Sequence, residues 1–591
     1  MLALSSLSCQ GTPEGVEKMD LAAYVDSDAT ALESEISSPK MDYWRTQRRG
    51  ANSFTPQYKP DYFKAAKEAG IEFIRFGPNQ LPSAERDFLF GDMENFTEIN
   101  SRDLACLKDI LDDAHSYGIK IILTMFELPG HRQGESDEGK RDTRLWREQK
   151  YWEQSFQFWE QLARALKDHP AIVAYNPINE PYITYVYGKD YPAGDFPRWL
   201  ERTKGTTADL NLFNRLMVRA IRKADSQTPI MLDGYFWADP KAINFTELLE
   251  DRNTLYSFHN PSPWEYASLG GNKGRYSYPG RMPAYGNSQE GLWEKSDLEG
   301  LLSPVHQFIE DENIEPWRII AGEFWCNRRV PGCDAYMSDM ISLYEERQWH
   351  WAFWSFRDNG SWNGLDYELG DAPDPGLYYI DTVRKGEDSE KYRLRRNTPS
   401  WEVIRKGLAG GENAELDTPT SERPDMTPWL KDLESEDMEV RKSALLALRL
   451  DYEAAEEALP QIVKYLGDEE GDVRATAAFT LSAWGDEAPI AVKPLIKCLS
   501  DPEWKVRDAA ALALAAVGEE AREALPSLIG ITEDEEWFVR RSALYALSKI
   551  GSPDDPGLSL ILEKALKDPE EHVRIEAALA QRRYESKALN L

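Results

Sequence analysis

Residues 41–408 alternate short apolar runs with amphipathic segments. The apolar runs are typical of buried strands and begin near residues 48, 71, 119, 171, 229, 255, 318 and 350. Between them, the stretch SRDLACLKDILDDAHSYG places Leu104, Leu107 and Leu111 at helical spacing, and Gly118 ends the pattern. Eight strands with helical crossovers predict a (β/α)8 barrel of the α/β class. An open doubly wound sheet is the rival, but it typically has a glycine-rich phosphate turn after its first strand, and this sequence has none there.

The carboxyl-terminal part of the chain repeats a Val-Arg pair every 33 or 34 residues. The repeated valines are Val440, Val473, Val506, Val539 and Val573. Acidic residues precede each pair, and an alanine- and leucine-rich helical pattern follows, as in DPEWKVRDAAALALAAVG. One such unit cannot bury its apolar face alone, so neighbouring units must stack. The pattern predicts an all-α solenoid. It resembles HEAT repeats of the phycobilisome-lyase-like type, which implies a scaffold or a binding surface for a protein partner.

Composition divides the chain into four segments. Residues 1–40 read as a signal-like and flexible amino-terminal segment, and residues 41–408 form the predicted barrel. Residues 409–428 are rich in glycine, proline and polar side chains, which is typical of a linker. Residues 429–591 form the predicted solenoid.

The first residues, MLALSSLSCQGTPEG, resemble the end of a bacterial lipoprotein signal, in which the cysteine becomes lipidated. Here that cysteine is Cys9. Ser6 stands where leucine is usual, and no basic segment precedes the short apolar run, so the signal looks truncated. The resemblance implies an exported protein, lipid-anchored or free, at the bacterial cell surface or in the periplasm. A chance match is the alternative.

The formal net charge of −33 narrows the range of partners. A strongly acidic chain disfavours nucleic acid and anionic membranes. No apolar run is long enough to cross a membrane as a helix, so no transmembrane span is expected. The five cysteines are too few for a fold built on disulfides. Cys326 and Cys333 are close enough in sequence to pair, and two unpaired thiols are the equal alternative.

Ionisable and amide groups stand at the ends of several predicted strands. They are Arg75, Asn179, Glu180, His259 and Glu323, with Trp354 on the eighth strand. In a barrel, the carboxyl ends of all strands share one mouth. Two carboxylates there suit glycoside hydrolysis, in which one donates a proton to the leaving oxygen and the other attacks the anomeric carbon. The alternative is that each carboxylate is a structural ion-pair partner.

Two motifs resemble a known enzyme family. NPINEP on the fourth strand and IIAGEFW on the seventh are similar to signatures of the cellulase-like glycoside hydrolase family 5, a retaining family built on (β/α)8 barrels. The resemblance covers residues 41–408. It implies that Glu180 is the acid/base and Glu323 the nucleophile in the cleavage of a β-linked glycan, as in an endo-β-glucanase or a β-mannanase.

The same resemblance implies substrate-binding roles for four further residues. Asn179 is expected to hydrogen-bond the sugar 2-hydroxyl, and Arg75 to orient and charge-stabilise the nucleophile. His259 matches the sixth-strand histidine, and Trp354 matches the aromatic residue that stacks under the sugar in the cleaved subsite. In this scheme the acid needs a raised pKa, whereas the nucleophile must stay ionised.

Two positions depart from the family pattern. The family often has tyrosine two residues after the sixth-strand histidine, where this chain has Pro261. It often has histidine at the end of the third strand, where this chain has Phe126. Each change is expected to reshape the sugar subsite or to weaken activity, but neither removes the acid, the nucleophile, the amide or the arginine.

Several of the 19 tryptophans fall on loops that would rim the mouth of the barrel: Trp237, Trp264, Trp325 and Trp362. Sugar rings present C–H faces that stack on such side chains, although core packing is the commoner role of any single tryptophan. Trp237 and Trp325 lie just past strand ends and are the better substrate-binding candidates. The glycine-, proline- and tyrosine-rich insertion after the sixth strand is expected to build one wall of the cleft.

Other chemistries lack sequence support. The chain has no HExxH, no clustered Cys/His pattern, no GxSxG elbow and no phosphate-binding loop, so we expect neither a metal nor a cofactor. The leading hypothesis is a retaining hydrolase of a β-linked oligo- or polysaccharide, and cellulose-type glucan, mannan, xyloglucan and short oligosaccharides all remain open. One alternative is a non-catalytic carbohydrate-binding barrel, suggested by Pro261 and Phe126. Another is a scaffold that acts mainly through its repeats.

Overall fold

The computed structural model describes most of the chain. The described residues are 16–21, 38–54, 61–132, 142–183, 196–283, 290–357, 364–373, 375–376, 393, 395–410, 427–449, 455–485, 488–552 and 554–589. Cys9, most of the predicted amino-terminal segment and most of the predicted linker lie outside these residues, so the four segment bounds stay a prediction. Residues 16–21 of that segment lie against the barrel, where the buried Met19 donates its N–H to the Gly205 carbonyl at 3.0 Å.

Eight parallel strands close a barrel. Their bounds are Arg49–Ser53 (β1), Phe73–Phe76 (β2), Lys120–Thr124 (β3), Ile172–Asn176 (β4), Ile230–Asp233 (β5), Thr254–Asn260 (β6), Ile319–Phe324 (β9) and His350–Phe353 (β10). Strand β1 pairs with β2 and also with β10, where Ala51 lies opposite Phe353, so the sheet has no open edge. Each strand begins within two residues of its predicted start, and the predicted (β/α)8 barrel is confirmed.

Helices cover the barrel and then form the carboxyl-terminal region. Around the barrel they are Pro39–Trp44 (α1), Tyr62–Glu68 (α2), Ser101–Ser116 (α3), Gln149–Leu166 (α4), Phe196–Thr203 (α5), Leu210–Arg222 (α6), Tyr235–Ala238 (α7), Trp264–Ala267 (α8), Leu269–Asn272 (α9), Lys295–Leu301 (α10), Ser303–Asp311 (α11), Cys333–Glu346 (α12) and Pro399–Leu408 (α13). Beyond it they are Thr427–Asp432 (α14), Met438–Arg449 (α15), Ala455–Tyr465 (α16), Gly471–Leu481 (α17), Val492–Cys498 (α18), Trp504–Val517 (α19), Leu525–Gly530 (α20), Trp537–Ile550 (α21), Leu558–Ala565 (α22) and Glu571–Leu589 (α23). Short 3₁₀ turns occupy Pro78–Gln80, Arg144–Trp146, Pro240–Phe245, Pro316–Arg318, Tyr367–Leu369, Pro489–Ala491, Gly518–Ala524 and Ile531–Glu533.

Helix α1 closes the amino-terminal end of the barrel. Ser38 caps the helix, because its hydroxyl accepts from the Met41 N–H at 3.0 Å. The Trp44 indole donates to the Val173 carbonyl at 3.1 Å. Met41 and Trp44 also pack against apolar side chains inside the barrel. The opposite end, where the strands terminate, therefore remains as the face on which a site can open.

The insertion after β6 contains structure that the sequence pattern did not predict. It holds the short helices α8 and α9 and an antiparallel hairpin, Gly280–Pro283 (β7) paired with Glu290–Trp293 (β8). The hairpin was missed because its strands are only four residues long and half-exposed, so they carry no apolar alternation.

An arginine ladder joins the helical repeats. The arginines of the first four Val-Arg pairs each reach an aspartate of the following repeat, so Arg474 lies 2.8 Å from Asp501 and Arg507 lies 2.7 Å from Asp534. Arg507 also donates to the Asp501 carbonyl at 2.9 Å, which ties the same guanidinium to its own repeat. The ladder comprises Arg441, Arg474, Arg507 and Arg540 with Asp468, Asp501, Asp534 and Asp568. Stacked helical repeats are therefore confirmed beyond the barrel.

The solenoid docks on the loops that follow the last three barrel strands. After β6, Lys273 lies 2.8 Å from Glu571; after β9, Arg329 pairs with Glu576; after β10, Asp371 lies 2.9 Å from Lys549. A Cβ at Gly274 would lie 2.5 Å from the Cβ of Ala578, so only glycine permits this approach. These loops are on the face where the strands end, and the solenoid therefore flanks the mouth of the barrel.

Candidate active site

Arg75, at the end of β2, is the hub of the site. Its guanidinium is buried and contacts side chains from β1, β4, β5 and β9. One terminal nitrogen donates to Glu323 Oε1 at 2.5 Å and to Asn52 Oδ1 at 3.1 Å. The other donates to Asn179 Oδ1 at 2.5 Å, Asn176 Oδ1 at 2.7 Å and Asp233 Oδ2 at 3.2 Å. A planar donor group of this kind can hold several acceptors at fixed angles, which a lysine cannot do.

Glu323, near the end of β9, is buried beside this arginine. The pairing of β6 with β9 is irregular at this point, and it brings His259 opposite Glu323. The preceding residue is Gly322, where a Cβ would meet Ser257 Oγ at 2.5 Å and His259 Nε2 at 3.0 Å. The glycine of the IIAGEFW motif therefore allows the histidine to reach the carboxylate.

The charge state of Glu323 differs from the expectation that the nucleophile stays fully ionised. Burial, which disfavours a charged carboxylate, raises its pKa to about 7. His259 and Arg75 act in the opposite direction, whereas the negative charges of Glu180 and Asp233 raise the pKa further. Near neutral pH this group therefore exists in both its ionised and its protonated form.

Glu180 lies just past the end of β4, in an unusual backbone conformation. Its φ is 44°, in the left-handed region that residues with a side chain rarely adopt. Its N–H donates to Asp233 Oδ2 at 3.1 Å, and Glu180 Oε1 lies 2.8 Å from Nδ1 of His259. The side chain keeps 24% of its surface exposed, so the carboxyl opens toward the mouth.

His259 lies between the acidic groups of the site. Its Nδ1 is 2.8 Å from Glu180 Oε1 and 3.6 Å from Glu323 Oε1, and its Nε2 is 3.6 Å from Asp233 Oδ2. Burial lowers the pKa of the imidazole, and Arg75 lowers it further, against the raising effect of Glu323 and Asp233. A neutral imidazole with a carboxylate near each nitrogen can donate a hydrogen bond to one of them.

The two candidate catalytic carboxyls lie close together. Among the described residues, Glu180, His259 and Glu323 each offer one ligand atom, and these atoms lie within 4.8 Å of one another. The same three side chains are the group that could hold a metal ion. Arg75 already supplies a positive charge 2.5 Å from Glu323, so the cluster is also complete as a pair of carboxyls with an organic cation.

Comparison with known proteins identifies the barrel. A family model described as cellulase (glycosyl hydrolase family 5) matches residues 37–360, which is more than half of the chain. The chain belongs to glycosyl hydrolase family 5. A second model, HEAT repeats, matches residues 492–582. The resemblances of the barrel to family 5 and of the carboxyl-terminal repeats to HEAT repeats are therefore confirmed.

Individual relatives of this family 5 chain are distant. A beta-xylosidase of Phanerodontia chrysosporium is 21% identical over 331 residues, which cover 54% of this chain and 61% of the relative. Among solved structures, Thermotoga maritima Cel5A in complex with a mannotriose substrate is 16% identical, with 62% of this chain and 99% of that chain covered and a TM-score of 0.42. The Pseudomonas stutzeri endoglucanase Cel5A is 20% identical, with 62% and 95% covered and a TM-score of 0.39. Likenesses at this level carry no conclusion about substrate.

Most of the predicted aromatic residues of the family 5 barrel lie at or after the ends of its strands. Trp354 is buried and meets Phe126 edge to face at 5.9 Å between ring centroids. Trp325 packs edge to face against Trp264 at 5.2 Å, and 44% of Trp264 is exposed. Trp237 is half-buried in the turn after β5. Trp362 lies outside the described residues.

The two departures from the family pattern differ in their surroundings. Phe126 packs against Arg75, whose guanidinium lies 5.7 Å from its ring centroid. It therefore replaces a hydrogen-bonding ring with an apolar one inside the site. Pro261 is half-buried just beyond β6 and offers no hydroxyl.

The two cysteines that lie close in sequence do not form a disulfide. Cys326 and Cys333 are both free thiols, and Cys333 Sγ donates to the Cys326 carbonyl at 3.3 Å.

Three functional residues were not predicted. Asn52, Asn176 and Asp233 all bond Arg75 from the ends of β1, β4 and β5. A signal for them exists, because each is a polar residue at or near the end of an apolar strand, as in PIMLDGYF. Asn52 and Asp233 belong to no family motif, and Asn176 begins the NPINEP motif without an assigned role. Only the closed barrel brings the three residues to Arg75.

A cavity lies between the barrel and the solenoid, away from Glu180 and Glu323. A volume of about 490 Å³ lies between the loop around Asp371 and the solenoid, lined by Arg328, Arg396, Arg449 and Lys549 among others. None of the catalytic candidates lines it.

In the described part of the chain, no helix has both the length and the apolar character that crossing a bilayer requires.

Proposed function

We propose that the barrel hydrolyses β-linked glycans with retention of configuration, with Glu180 as acid/base and Glu323 as nucleophile. The observation that carries the proposal is that carboxylate oxygens of the two residues lie within 4.8 Å of each other. Retaining glycosidases keep their carboxyl groups about 5 Å apart, whereas inverting enzymes need about 6.5–9.5 Å for an intervening water. The separation here favours direct attack.

The reaction then proceeds in two displacements. The Glu323 carboxylate attacks the anomeric carbon while Glu180 gives its proton to the departing glycosidic oxygen. The resulting glycosyl ester is hydrolysed by water, from which Glu180 removes a proton as the water attacks the same carbon. Two inversions at one carbon restore the starting configuration.

The surrounding groups support these roles. Arg75 orients Glu323 and compensates part of its negative charge through the 2.5 Å contact. His259 bonds Glu180 at 2.8 Å and so fixes the direction of the acid. Asn179 uses its oxygen on Arg75 at 2.5 Å, which leaves its amide hydrogens for the sugar 2-hydroxyl. The Trp354 ring is assigned to the cleaved subsite.

The pKa of Glu323 sets the working range. Only the ionised carboxylate is a nucleophile, and its pKa of about 7 means that activity falls as the pH drops through that value. Measurement of kcat/KM against pH tests this directly. An acidic limb near the ordinary pKa of a glutamate, 4.5, would contradict the raised pKa of Glu323, and absence of an acidic limb would contradict its assignment as the nucleophile.

The substrate class is a β-linked oligo- or polysaccharide, and we leave its sugar open. Trp264, Trp325 and Trp237 offer the aromatic surface that a chain of sugars would stack on. The beta-xylosidase relative adds xylosides to glucans and mannans as substrates to be screened. We further propose that the HEAT repeats bind a protein partner and that the protein is exported with Cys9 lipidated, which mass spectrometry of the mature protein tests.

The decisive experiment combines a substrate screen with a rescue. Wild-type protein is incubated with β-glucans, mannans, xylans and aryl β-glycosides, and proton NMR follows the configuration of the first product. Glu323→Gly is expected to abolish turnover of an aryl β-glycoside, and azide is expected to restore it in part and to yield an α-glycosyl azide. Initial inversion of configuration, or full activity of the glycine variant, would overturn the proposal. Binding of glycans without turnover would instead indicate a carbohydrate-binding barrel.

A further inference from the structure

Asp233 is a buried carboxylate at the end of β5 that the mechanism above does not use. Its side chain has no exposed surface. Burial of a carboxylate is unfavourable unless it is paired and hydrogen-bonded. Its Oδ2 accepts from Arg75 Nη2 at 3.2 Å and from the Glu180 N–H at 3.1 Å, and it lies 3.6 Å from His259 Nε2. One oxygen atom therefore contacts three groups of the catalytic centre.

The contact with Glu180 falls on a strained segment. A side-chain-bearing residue with φ of 44° is disfavoured because its Cβ crowds the neighbouring carbonyl, and it persists only where surrounding contacts hold it. The Asp233 carboxylate accepts the N–H of this same residue. A charge-assisted hydrogen bond at that point fixes the direction in which the Glu180 side chain leaves the backbone.

We propose that Asp233 is a positioning residue that ties Glu180, Arg75 and His259 to the end of β5. The inference rests on the proposed roles of Glu180 and Glu323 and adds the element that aligns them. Asp233 touches neither the sugar nor the reacting atoms. It acts through the backbone of the acid/base, the guanidinium beside the nucleophile and the imidazole between the two carboxyls.

The charge of Asp233 also acts on the nucleophile. The charged and titratable groups around Glu323 are Arg75, His259, Glu180 and Asp233. Asp233 is one of the two negative charges that raise the pKa of Glu323. Removal of that charge with the shape retained therefore lowers the pKa of Glu323, and the acidic limb of kcat/KM moves to lower pH.

Two variants separate geometry from charge. Asp233→Ala removes the acceptor, and we expect kcat to fall by about 100-fold with KM little changed, the loss typical of a catalytic group misplaced by about 1 Å. Asp233→Asn keeps an acceptor of the same shape, so we expect a loss of at most about tenfold in kcat, together with the displaced acidic limb. Rescue of most of the activity by asparagine is the sign of a positioning role.

Asp225→Asn is the matched control. Asp225 is a second buried acid beside the same strand, at its other end, where it accepts from the Tyr175 hydroxyl at 3.0 Å and the Thr228 N–H at 2.9 Å. Its substitution changes buried charge and local stability without touching the catalytic cluster. We expect the acidic limb of this variant to coincide with that of the wild type. An equal displacement in both variants would overturn the proposal.

Two readouts are independent of turnover. Protein labelled with ¹³C at the glutamate side-chain carboxyl gives the titration of Glu323 by NMR, with Glu323→Gln used for assignment. Asp233→Asn is expected to lower the titration midpoint, and Asp225→Asn to leave it unchanged. A crystal structure of Asp233→Ala is expected to show Glu180 outside the left-handed region. An unchanged midpoint together with an unchanged Glu180 backbone would refute the positioning role, whether or not a glycan is ever turned over.

Discussion

The barrel and the solenoid both use arginine to hold acidic side chains, and they use it in opposite ways. In the solenoid, Arg507 meets Asp534, 27 residues further along the chain, and the contact is repeated from unit to unit. In the barrel, Arg75 meets Glu323, 248 residues away, and joins side chains from four other strands. Loss of one solenoid contact leaves its copies intact, whereas the barrel has no second Arg75. The solenoid contact is one of several equivalent copies, whereas the contacts of Arg75 converge on one unique group of side chains.

The largest effect is expected from Arg75→Met. This change leaves Glu323 and Asp233 buried without their cation, and breaking a buried pair typically destabilises by about 3–5 kcal/mol. We expect a fall in kcat/KM of about 1,000-fold or more on any substrate, and a lower melting temperature of the barrel. Arg75→Lys is the control, because it restores charge without the planar fork and is expected to recover stability more than activity. Near-wild-type kinetics in the methionine variant would contradict a role of Arg75 in the reaction.

An effect that depends on the leaving group is expected from Glu180→Ala. General acid catalysis contributes about 100- to 10,000-fold, and it matters most for leaving groups that need a proton. We expect natural glycosides to lose most of their turnover, while an aryl glycoside with an acidic leaving group loses far less in the first displacement. Steady-state rates on a series of aryl glycosides measure the difference. Equal losses across the series would contradict the acid role.

The buried carboxylate of Glu323 is expected to reduce the stability of the folded protein, whereas the arginine ladder of the solenoid increases it. The folded-state pKa of Glu323, about 7, lies above its ordinary value of 4.5. The folded protein therefore binds more protons between these values, and its free energy of unfolding falls as pH rises through that window. Glu323→Gln lacks this dependence. We expect the variant to be more stable than wild type by about 3 kcal/mol at pH 8, with the difference vanishing below pH 4.5. Parallel melting curves of the two proteins across this range would speak against the raised pKa.

The smallest effect is expected within the ladder. Arg507 and Asp534 are mostly buried, and Arg507→Ala removes charge-assisted hydrogen bonds worth about 2 kcal/mol. We expect the solenoid to unfold at lower denaturant while kcat and KM stay unchanged. Arg522→Ala is the control, because its pair with Asp555 is half-exposed and such pairs contribute little. A change in kcat caused by Arg507→Ala would show that the two regions are coupled.

Local patterns predicted the framework well. The eight strand starts and the repeated Val-Arg pairs could be predicted because both patterns depend on residues that are near one another in sequence. The short hairpin β7–β8 was not predicted, since four half-exposed residues have no such pattern. Glu180, Glu323, Arg75 and His259 were predicted from their places at strand ends and from family motifs, not from their contacts. Asp233 also stands at a strand end, but it belongs to no family motif and was not predicted.

Patterns along the chain predicted a (β/α)8 barrel, a row of polar residues at its strand ends, and a periodic solenoid. Only the closed barrel shows that Arg75 bonds Glu323 and Asp233, that Asp233 accepts the N–H of Glu180, and that burial raises the pKa of Glu323 to about 7. The difference follows from how far apart in sequence the interacting residues are. Secondary structure depends on residues a few positions apart, whereas a pKa and a hydrogen-bond network depend on burial and on charges that only the closed barrel brings together.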